Sequence, residues 1–171
     1  MAIFSLSDDV LAIGLGGNVG GEPAVRGRFV AARDAFSQIG SVRSAPLYRS
    51  APIGPAQPAF LNTVIRVVAS EAQPAEVLAL IRELEALLGR DRANEVRWGP
   101  RTIDLDVLAW GTRALRTPEL EVPHPRAGVR RFVIAPMIDL FGEALVLGGR
   151  TLGELARGVS DQEIELITTS W

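Results

Sequence analysis

The chain of 171 residues has no cysteine, no lysine and a single histidine, His124. Without cysteine it cannot form a disulfide, a thiolate nucleophile, an iron–sulfur cluster or a cysteine-ligated zinc site. Without lysine, Schiff-base catalysis and the lysine of a Walker A phosphate loop are excluded. Anions must therefore be bound by arginine and backbone amides, and a metal must be bound mainly by carboxylates.

Long apolar runs and a strong net charge are also missing. No run approaches the roughly 18–20 residues of a membrane-spanning helix. The first residues include Asp8 and Asp9, where a secretory signal would need basic residues. The net charge of −2 provides no field that would attract nucleic acid. We therefore expect a cytoplasmic protein that binds neither nucleic acid nor membranes, and we expect it to be a monomer.

What the sequence does contain is a regular alternation of strand and helix patterns. Apolar or β-branched segments at 10–15, 41–50, 62–69 and 103–109 predict four strands. Helix patterns begin near Pro23 and Pro74 and stop at Gly40 and Gly89. The order β-α-β-β-α-β predicts an α+β, ferredoxin-like core with a mainly antiparallel sheet flanked by helices.

The ends of the chain are less patterned. Residues 1–9 are polar and are predicted to form an N-terminal tail, while residues 10–171 are predicted to form a single domain. From Trp110 onward we expect a C-terminal extension of the same domain, with a loop at 123–125, an apolar run at 132–135 and a helix near 151–158.

Asp104 and Asp106 are the first candidate functional residues. They lie two positions apart on a predicted strand, so both carboxylates leave the same face of the sheet. Two neighbouring carboxylates suit Mg²⁺, which takes one or two carboxylates together with phosphate and water oxygens. The alternative is an ordinary solvated strand face, on which alternating aspartates carry no function.

The residues before this pair favour the functional interpretation. Four arginines and Trp98 precede it within a loop that also contains glycine and proline; the arginines are Arg90, Arg92, Arg97 and Arg101. Carboxylates for a metal, guanidinium groups for phosphate oxygens and a loop able to close are the parts of a phosphate-transfer site. His124 lies in a Pro-His-Pro turn, where either a structural or a functional role is open.

Several spaced motifs resemble those of the 6-hydroxymethyl-7,8-dihydropterin pyrophosphokinase family. The longest is Arg-Trp-Gly-Pro-Arg-Thr-Ile-Asp-Leu-Asp-Val-Leu at 97–108. Shorter blocks follow the family's order at 13–18, 48–55, 60–62, 122–126 and 130–132. The resemblance implies a ferredoxin-like fold and transfer of pyrophosphate from ATP to the pterin hydroxymethyl group, releasing AMP, in folate biosynthesis.

The resemblance also implies roles for individual residues. Asp104 and Asp106 would hold two Mg²⁺ ions, and Asp106 would help to remove the proton of the attacking hydroxyl group. The implied catalytic residues are Arg90, Arg92, Arg101, Asp104 and Asp106. The implied pterin-binding residues are Ser50, Ala51, Pro52, Ile53, Phe60, Asn62, Trp98 and Phe132. The implied ATP-binding residues are Glu85, Arg92, Trp98, Arg101, Val107, His124 and Arg130.

This chain departs from the family's commoner residues at four positions. Gly17 replaces a usual serine, and Arg82 replaces a glutamine found in some members. Glu119 and Glu121 replace a basic residue and a hydroxyl residue near ATP. Two alternatives compete with the family's activity: a noncatalytic module that binds RNA or a regulatory small molecule, and a Mg²⁺-dependent transferase with another flat alcohol as acceptor.

Overall fold

A computed structural model describes residues 3–171, which contain four α-helices and a mainly antiparallel sheet. The elements in chain order are β1 (Val10–Gly17), α1 (Gly21–Phe36), β2 (Ser41–Ser44), β3 (Leu47–Ser50), β4 (Phe60–Val68), α2 (Pro74–Leu87), β5 (Asp104–Trp110), β6 (Leu115–Arg116), β7 (Glu121–Val122), α3 (Arg131–Phe141), β8 (Val146–Leu147), β9 (Arg150–Thr151), α4 (Leu152–Gly158) and β10 (Ile164–Thr168).

The main sheet has the strand order β10-β3-β4-β1-β5, and β2 also pairs with β4. All of these pairings are antiparallel. The predicted α+β class and the mainly antiparallel sheet are therefore confirmed. Strands β4 and β1 each pair with a strand on both sides, so each is held by hydrogen bonds along both of its edges.

The prediction of one strand at 41–50 is wrong in one respect, because this segment forms two short strands. β2 pairs with the second half of β4, from Ile65 to Val68, and β3 pairs with Phe60 to Asn62. The break falls at Ala45 and Pro46, where proline has no N–H to donate to the ladder.

The two faces of β1 explain where the sheet is open. Leu11, Ile13 and Leu15 point into a core shared with α1 and α2. The alternating residues Val10 and Ala12 point into a second core shared with α3 and α4. Gly14 and Gly16 continue this second face without side chains of their own, which leaves a bare glycine face on β1 against which the Leu108 side chain packs at Gly14.

Both chain ends pack against the domain. Of the predicted tail, residues 1 and 2 lie outside the described residues, but the Phe4 N–H donates to the Ala144 carbonyl at 3.2 Å. The apolar run at 132–135 lies in α3, and α4 forms where a helix was predicted near 151–158. Beyond the predicted core, β10 pairs with β3. Across residues 3–171, every helix is too short or too polar to span a membrane.

Candidate functional site

Two cavities meet at Asp106 and Arg92, which line both of them. The larger, about 480 Å³, lies over the bare glycine face of β1 and is closed on one side by Phe132 of α3. The smaller, about 340 Å³, lies between α2 and the segment 117–125. A molecule that fills both cavities would therefore pass directly over the Asp106 carboxylate.

Strand register arranges the floor of the larger cavity in rows. Asn62 of β4, Gly16 of β1 and Asp104 of β5 are directly paired, and Gly14 pairs in the same way with Asp106. Directly paired residues place their side chains on the same face. The two carboxylates therefore share one face, as the spacing predicted, and the glycines leave the floor between them and Asn62 open.

Aromatic and amide groups form the far end of this cavity. The amide of Asn62 donates to the Ser50 hydroxyl at 2.9 Å, and both residues are buried. Because this bond fixes the amide, Asn62 offers its remaining polar atoms in a single orientation. All but Pro52 of the predicted pterin-binding residues line the cavity, namely Ser50, Ala51, Ile53, Phe60, Asn62, Trp98 and Phe132.

Glu85 of α2 lies beneath the site and is almost fully buried. Its carboxylate contacts the guanidinium groups of Arg90 and Arg92 and accepts a hydrogen bond from the Leu105 N–H at 2.9 Å. It lines neither cavity. The position of Glu85 therefore suits it to hold two arginines and the start of β5 in place, although the sequence suggested an ATP contact.

Arg90 is enclosed by three carboxylates. Its guanidinium contacts Glu85 and Asp104, and its Nε lies 2.6 Å from Glu95 Oε1. Burial alone would lower the pKa of Arg90, but the hydrogen bond from Glu95 and the charges of Asp104 and Glu85 outweigh it and raise that pKa. Arg90 thus supplies a fixed positive charge next to the carboxylate pair.

Asp106 differs from an ordinary surface aspartate. Burial by the cavity walls, followed by the charge of Asp104, raises its pKa to about 6, against the opposing effect of Arg130. Although 40% of its side chain is accessible, that surface faces the two cavities. A carboxylate with this pKa can accept a proton near neutral pH.

His124 faces Asp106 as a neutral imidazole. Its Nδ1 accepts a hydrogen bond from the Arg126 N–H at 3.1 Å, so the remaining proton lies on Nε2, 3.9 Å from Asp106 Oδ2. Burial, followed by the charges of Arg130 and Arg126, lowers the pKa of His124. His124 therefore presents a hydrogen-bond donor at the junction of the two cavities.

The remaining predicted ATP-binding residues divide between the cavities. Val107, Arg92 and His124 line the smaller one, while Trp98, Arg101 and Arg130 line the larger one. The two unusual acids of the smaller cavity are each paired with an arginine: Glu119 with Arg82 at 3.0 Å and Glu121 with Arg116 at 2.9 Å. Much of their negative charge is thus offset before any nucleotide enters.

Asn18 and Gln57 connect the loops around the larger cavity, and the sequence patterns did not single them out as functional residues. Asn18 donates to Gln57 at 3.1 Å and accepts from the Arg101 N–H at 2.8 Å. Gln57 in turn donates to the Trp98 carbonyl at 2.7 Å. The loop at 51–59 and the loop at 88–103 are therefore joined through these two amide side chains.

Gly17 lies at a close backbone approach in this structure. A Cβ atom at this position would lie 2.8 Å from the carbonyl oxygen of Thr102. A side chain here would therefore require the turn after β1 and the segment that leads into β5 to shift apart.

The carboxylate pair fits a hard divalent cation. Among residues 3–171 there is no cluster of three or more histidine or acidic side chains able to hold a metal ion. The two aspartates on one strand face, one of them with a raised pKa, form a site that a cation would stabilise. Such a site matches Mg²⁺, which fills its other positions with phosphate and water oxygens.

Comparisons with known proteins identify the family of this chain. Residues 12–142 match the family described as 7,8-dihydro-6-hydroxymethylpterin-pyrophosphokinase (HPPK). The 2-amino-4-hydroxy-6-hydroxymethyldihydropteridine pyrophosphokinase of Pseudomonas aeruginosa is 40% identical over 157 residues, covering 90% of this chain and 93% of its own length. The Bacillus subtilis enzyme of the same name is 36% identical, covering 78% of each chain.

A solved structure extends the likeness to the fold. Wild-type Plasmodium falciparum HPPK-DHPS with pteroate superimposes with a TM-score of 0.63 at 12% sequence identity and covers 86% of this chain. The chain spans 42% of the length of that solved chain. With the family match over most of the chain and relatives of 40% and 36% identity, this protein belongs to the 7,8-dihydro-6-hydroxymethylpterin-pyrophosphokinase family.

Proposed function

We propose that the two cavities bind the two substrates of an ATP-dependent pyrophosphokinase reaction and that Asp104 and Asp106 stand at the point of transfer. The activity of the family is transfer of pyrophosphate from ATP to 6-hydroxymethyl-7,8-dihydropterin, a step of folate biosynthesis. The observation that supports this site most strongly is that Asp106 lines both cavities.

The larger cavity suits the pterin. A pterin is flat and carries hydrogen-bonding groups along its edge, so it needs aromatic faces and a fixed amide. Phe60 and Phe132 supply the faces, and Asn62, held by Ser50, supplies the amide. The loop residues Ala51, Pro52 and Ile53 would contact the rest of the ring through their backbone.

The smaller cavity suits the nucleoside of ATP. Its walls include Leu78, Ile81 and Val107, which offer an apolar surface to a base. The triphosphate would extend from there over Asp106, where the His124 Nε2–H and the guanidinium groups of Arg92, Arg101 and Arg130 can donate to phosphate oxygens. Glu85 would act through Arg90 and Arg92 by fixing their positions.

Asp104 and Asp106 would hold two Mg²⁺ ions, which when bound neutralise phosphate charge and polarise the oxygens around the β-phosphorus. Asp106 would accept the proton of the pterin hydroxyl group as its oxygen attacks the β-phosphorus. The bond between that phosphorus and the oxygen bridging it to the α-phosphate breaks, so that AMP leaves. Arg90 and Arg101 would stabilise the negative charge of the transferred group.

The test is direct incubation of the protein with ATP, Mg²⁺ and 6-hydroxymethyl-7,8-dihydropterin. We expect AMP and the pterin diphosphate to form in equal amounts, and we expect no AMP when the pterin is omitted. A well-folded protein that released no AMP under these conditions would contradict the proposed function. ADP in place of AMP would show transfer of one phosphate and would contradict it as well.

A change at Gly16 tests the position of the pterin. Gly16→Val is expected to weaken pterin binding at least tenfold, because the side chain would fill the floor between Asn62 and Asp104. An added Cβ lies 3.5 Å from Asn62 Oδ1, an ordinary contact, so the first atom of the new side chain fits. Equilibrium binding of the pterin, measured beside thermal unfolding, checks both points.

Gly27→Ala is the matched control for this change. An added Cβ at Gly27 has no neighbour within 4 Å, and the residue lies in α1. The control should bind pterin normally and unfold at the same or a higher temperature, since alanine favours helix. Normal pterin affinity in Gly16→Val would place the ring elsewhere.

Three further assignments are part of the proposal. The strand order supports a ferredoxin-like core, with β2 and β3 together in the place of one strand. Residues 10–171 would form one domain that acts as a monomer, which light scattering during gel filtration can test. The cytoplasmic location expected from the sequence remains a prediction.

A further inference from the structure

In the described part of the chain, three of the six arginines that line the larger cavity have no acceptor for their guanidinium groups. Arg90, Arg92 and Arg101 each form an ion pair with Glu85 or Glu95. Within residues 3–171, the side chains of Arg97, Arg126 and Arg130 form neither a hydrogen bond nor an ion pair. The cavity therefore has an excess of positive charge that its own residues do not neutralise.

Arg126 and Arg130 both line the larger cavity and lie close enough for their charges to interact. Burial and then the Arg126 charge lower the pKa of Arg130, and the Arg126 charge also acts on His124. Asp106 and Asp104 offset part of the charge on Arg130, but the proposed function assigns both of these carboxylates to the metal. Neighbouring guanidinium groups that form no ion pair are typical of sites for multiply charged anions.

Trp98 holds Arg126 at the rim of the cavity. The Arg126 guanidinium lies 5.2 Å from the centre of the Trp98 ring, and Arg97 lies 5.7 Å from the same ring. Trp98 has a φ of 62°, in the left-handed region that residues other than glycine rarely adopt. The indole is thus turned into a position where it supports two cations that have no carboxylate partner.

We propose that Arg126, together with Arg130, binds the diphosphate group of the product. This inference rests on the proposed function, because the ligand it names is formed by that reaction. Arg126 lines the cavity that contains Phe132 and Asn62 but does not line the smaller cavity. After transfer, both phosphates are attached to the pterin, which the proposed function places in this larger cavity. Arg126 therefore lies beside the diphosphate group of the product and away from the nucleoside.

The test compares binding of three compounds to the whole protein by calorimetry: 6-hydroxymethyl-7,8-dihydropterin, its diphosphate, and a nonhydrolysable ATP analogue with Mg²⁺. In Arg126→Ala the affinity for the diphosphate is expected to fall about tenfold or more. The affinities for the unphosphorylated pterin and for the ATP analogue should change less than about threefold. Arg126→Lys keeps the charge but loses the paired donors. Its affinity for the diphosphate should lie between the affinities of the original protein and of Arg126→Ala.

Arg157→Ala is the matched control, since Arg157 is exposed on α4 and lines neither cavity. It should leave all three affinities unchanged. Tryptophan fluorescence, to which Trp98 contributes together with Trp110 and Trp171, provides a second measurement: inorganic pyrophosphate should change it in the original protein but not in Arg126→Ala. Thermal unfolding of each variant confirms that the fold is retained.

Three results would overturn the inference. If Arg126→Ala weakened binding of the pterin and of its diphosphate equally, Arg126 would only shape the cavity. If it weakened binding of the ATP analogue and of the diphosphate equally, Arg126 would be assigned to the nucleotide. Unchanged affinity for the diphosphate would make Arg126 a surface cation stacked on Trp98. If no AMP forms but pyrophosphate binding still depends on Arg126, the proposed function fails, and with it the assignment of the product as ligand.

Discussion

Asp106→Asn is expected to lower the rate of AMP formation by about 10²–10⁴-fold, the range for loss of a general base. The substitution keeps the shape of the side chain but removes the charge and the proton acceptor at the junction of the two cavities. Asp104→Asn removes the other carboxylate of the pair and should lower the rate by at least two orders of magnitude. Single-turnover measurement of AMP at saturating substrates checks both variants.

The free energy of unfolding distinguishes a loss of catalysis in these variants from a loss of the fold. Asp104 and Asp106 face the cavities, so the free energy of unfolding should change by less than about 1 kcal/mol in Asp106→Asn. Asp161→Asn, at an exposed position away from both cavities, is the control and should retain full activity. A near-normal rate in either site variant would refute the assignment of the metal to this pair.

Glu85→Ala is expected to lower the free energy of unfolding by about 1–3 kcal/mol, the usual cost of leaving a buried donor without its acceptor, since Arg90 keeps Glu95 and Asp104 as partners. Its carboxylate is 1% exposed and Arg90 is 7% exposed, so Arg90 would lose a neighbouring acid without gaining water. The Leu105 N–H at the start of β5 would also lose its acceptor. Urea unfolding followed by circular dichroism measures the loss.

Two further variants make this prediction specific. Glu85→Gln retains an acceptor for the Leu105 N–H and should lose less stability than Glu85→Ala. Glu83→Ala, on the exposed side of the same helix, should change stability by less than about 0.5 kcal/mol. If Glu85→Ala were no less stable than Glu83→Ala, the ion pairs around Arg90 would not contribute to folding.

The sequence was informative where chemistry follows from local spacing. The i, i+2 spacing of Asp104 and Asp106 is enough to place both on one strand face, and the structure agrees. The same spacing is visible in Gly14 and Gly16, so the bare face of β1 could have been predicted. Helix α2 was likewise predictable from Pro74 and from the spacing of its buried residues.

Other features depend on contacts between distant segments. In the sequence, Glu85 cannot be told apart from the other acidic residues of α2. Its contact with Arg90 is visible only because that helix packs beneath β5. Arg126 follows a turn in the sequence, and its position over Trp98 depends on the path of two loops. The pairing of β10 with β3 joins residues more than 100 positions apart, beyond the reach of local patterns.

The row formed by Asn62, Gly16 and Asp104 also fixes the distance across the floor of the larger cavity. Two strand spacings of roughly 4.8 Å separate the backbones of the amide and the carboxylate by about 10 Å. This separation is set by the backbone hydrogen bonds that join β4 to β1 and β1 to β5, so it does not depend on the loops. An alcohol too short to reach from Asn62 to Asp104 would bind without presenting its oxygen, and the sheet would thus select the acceptor by size.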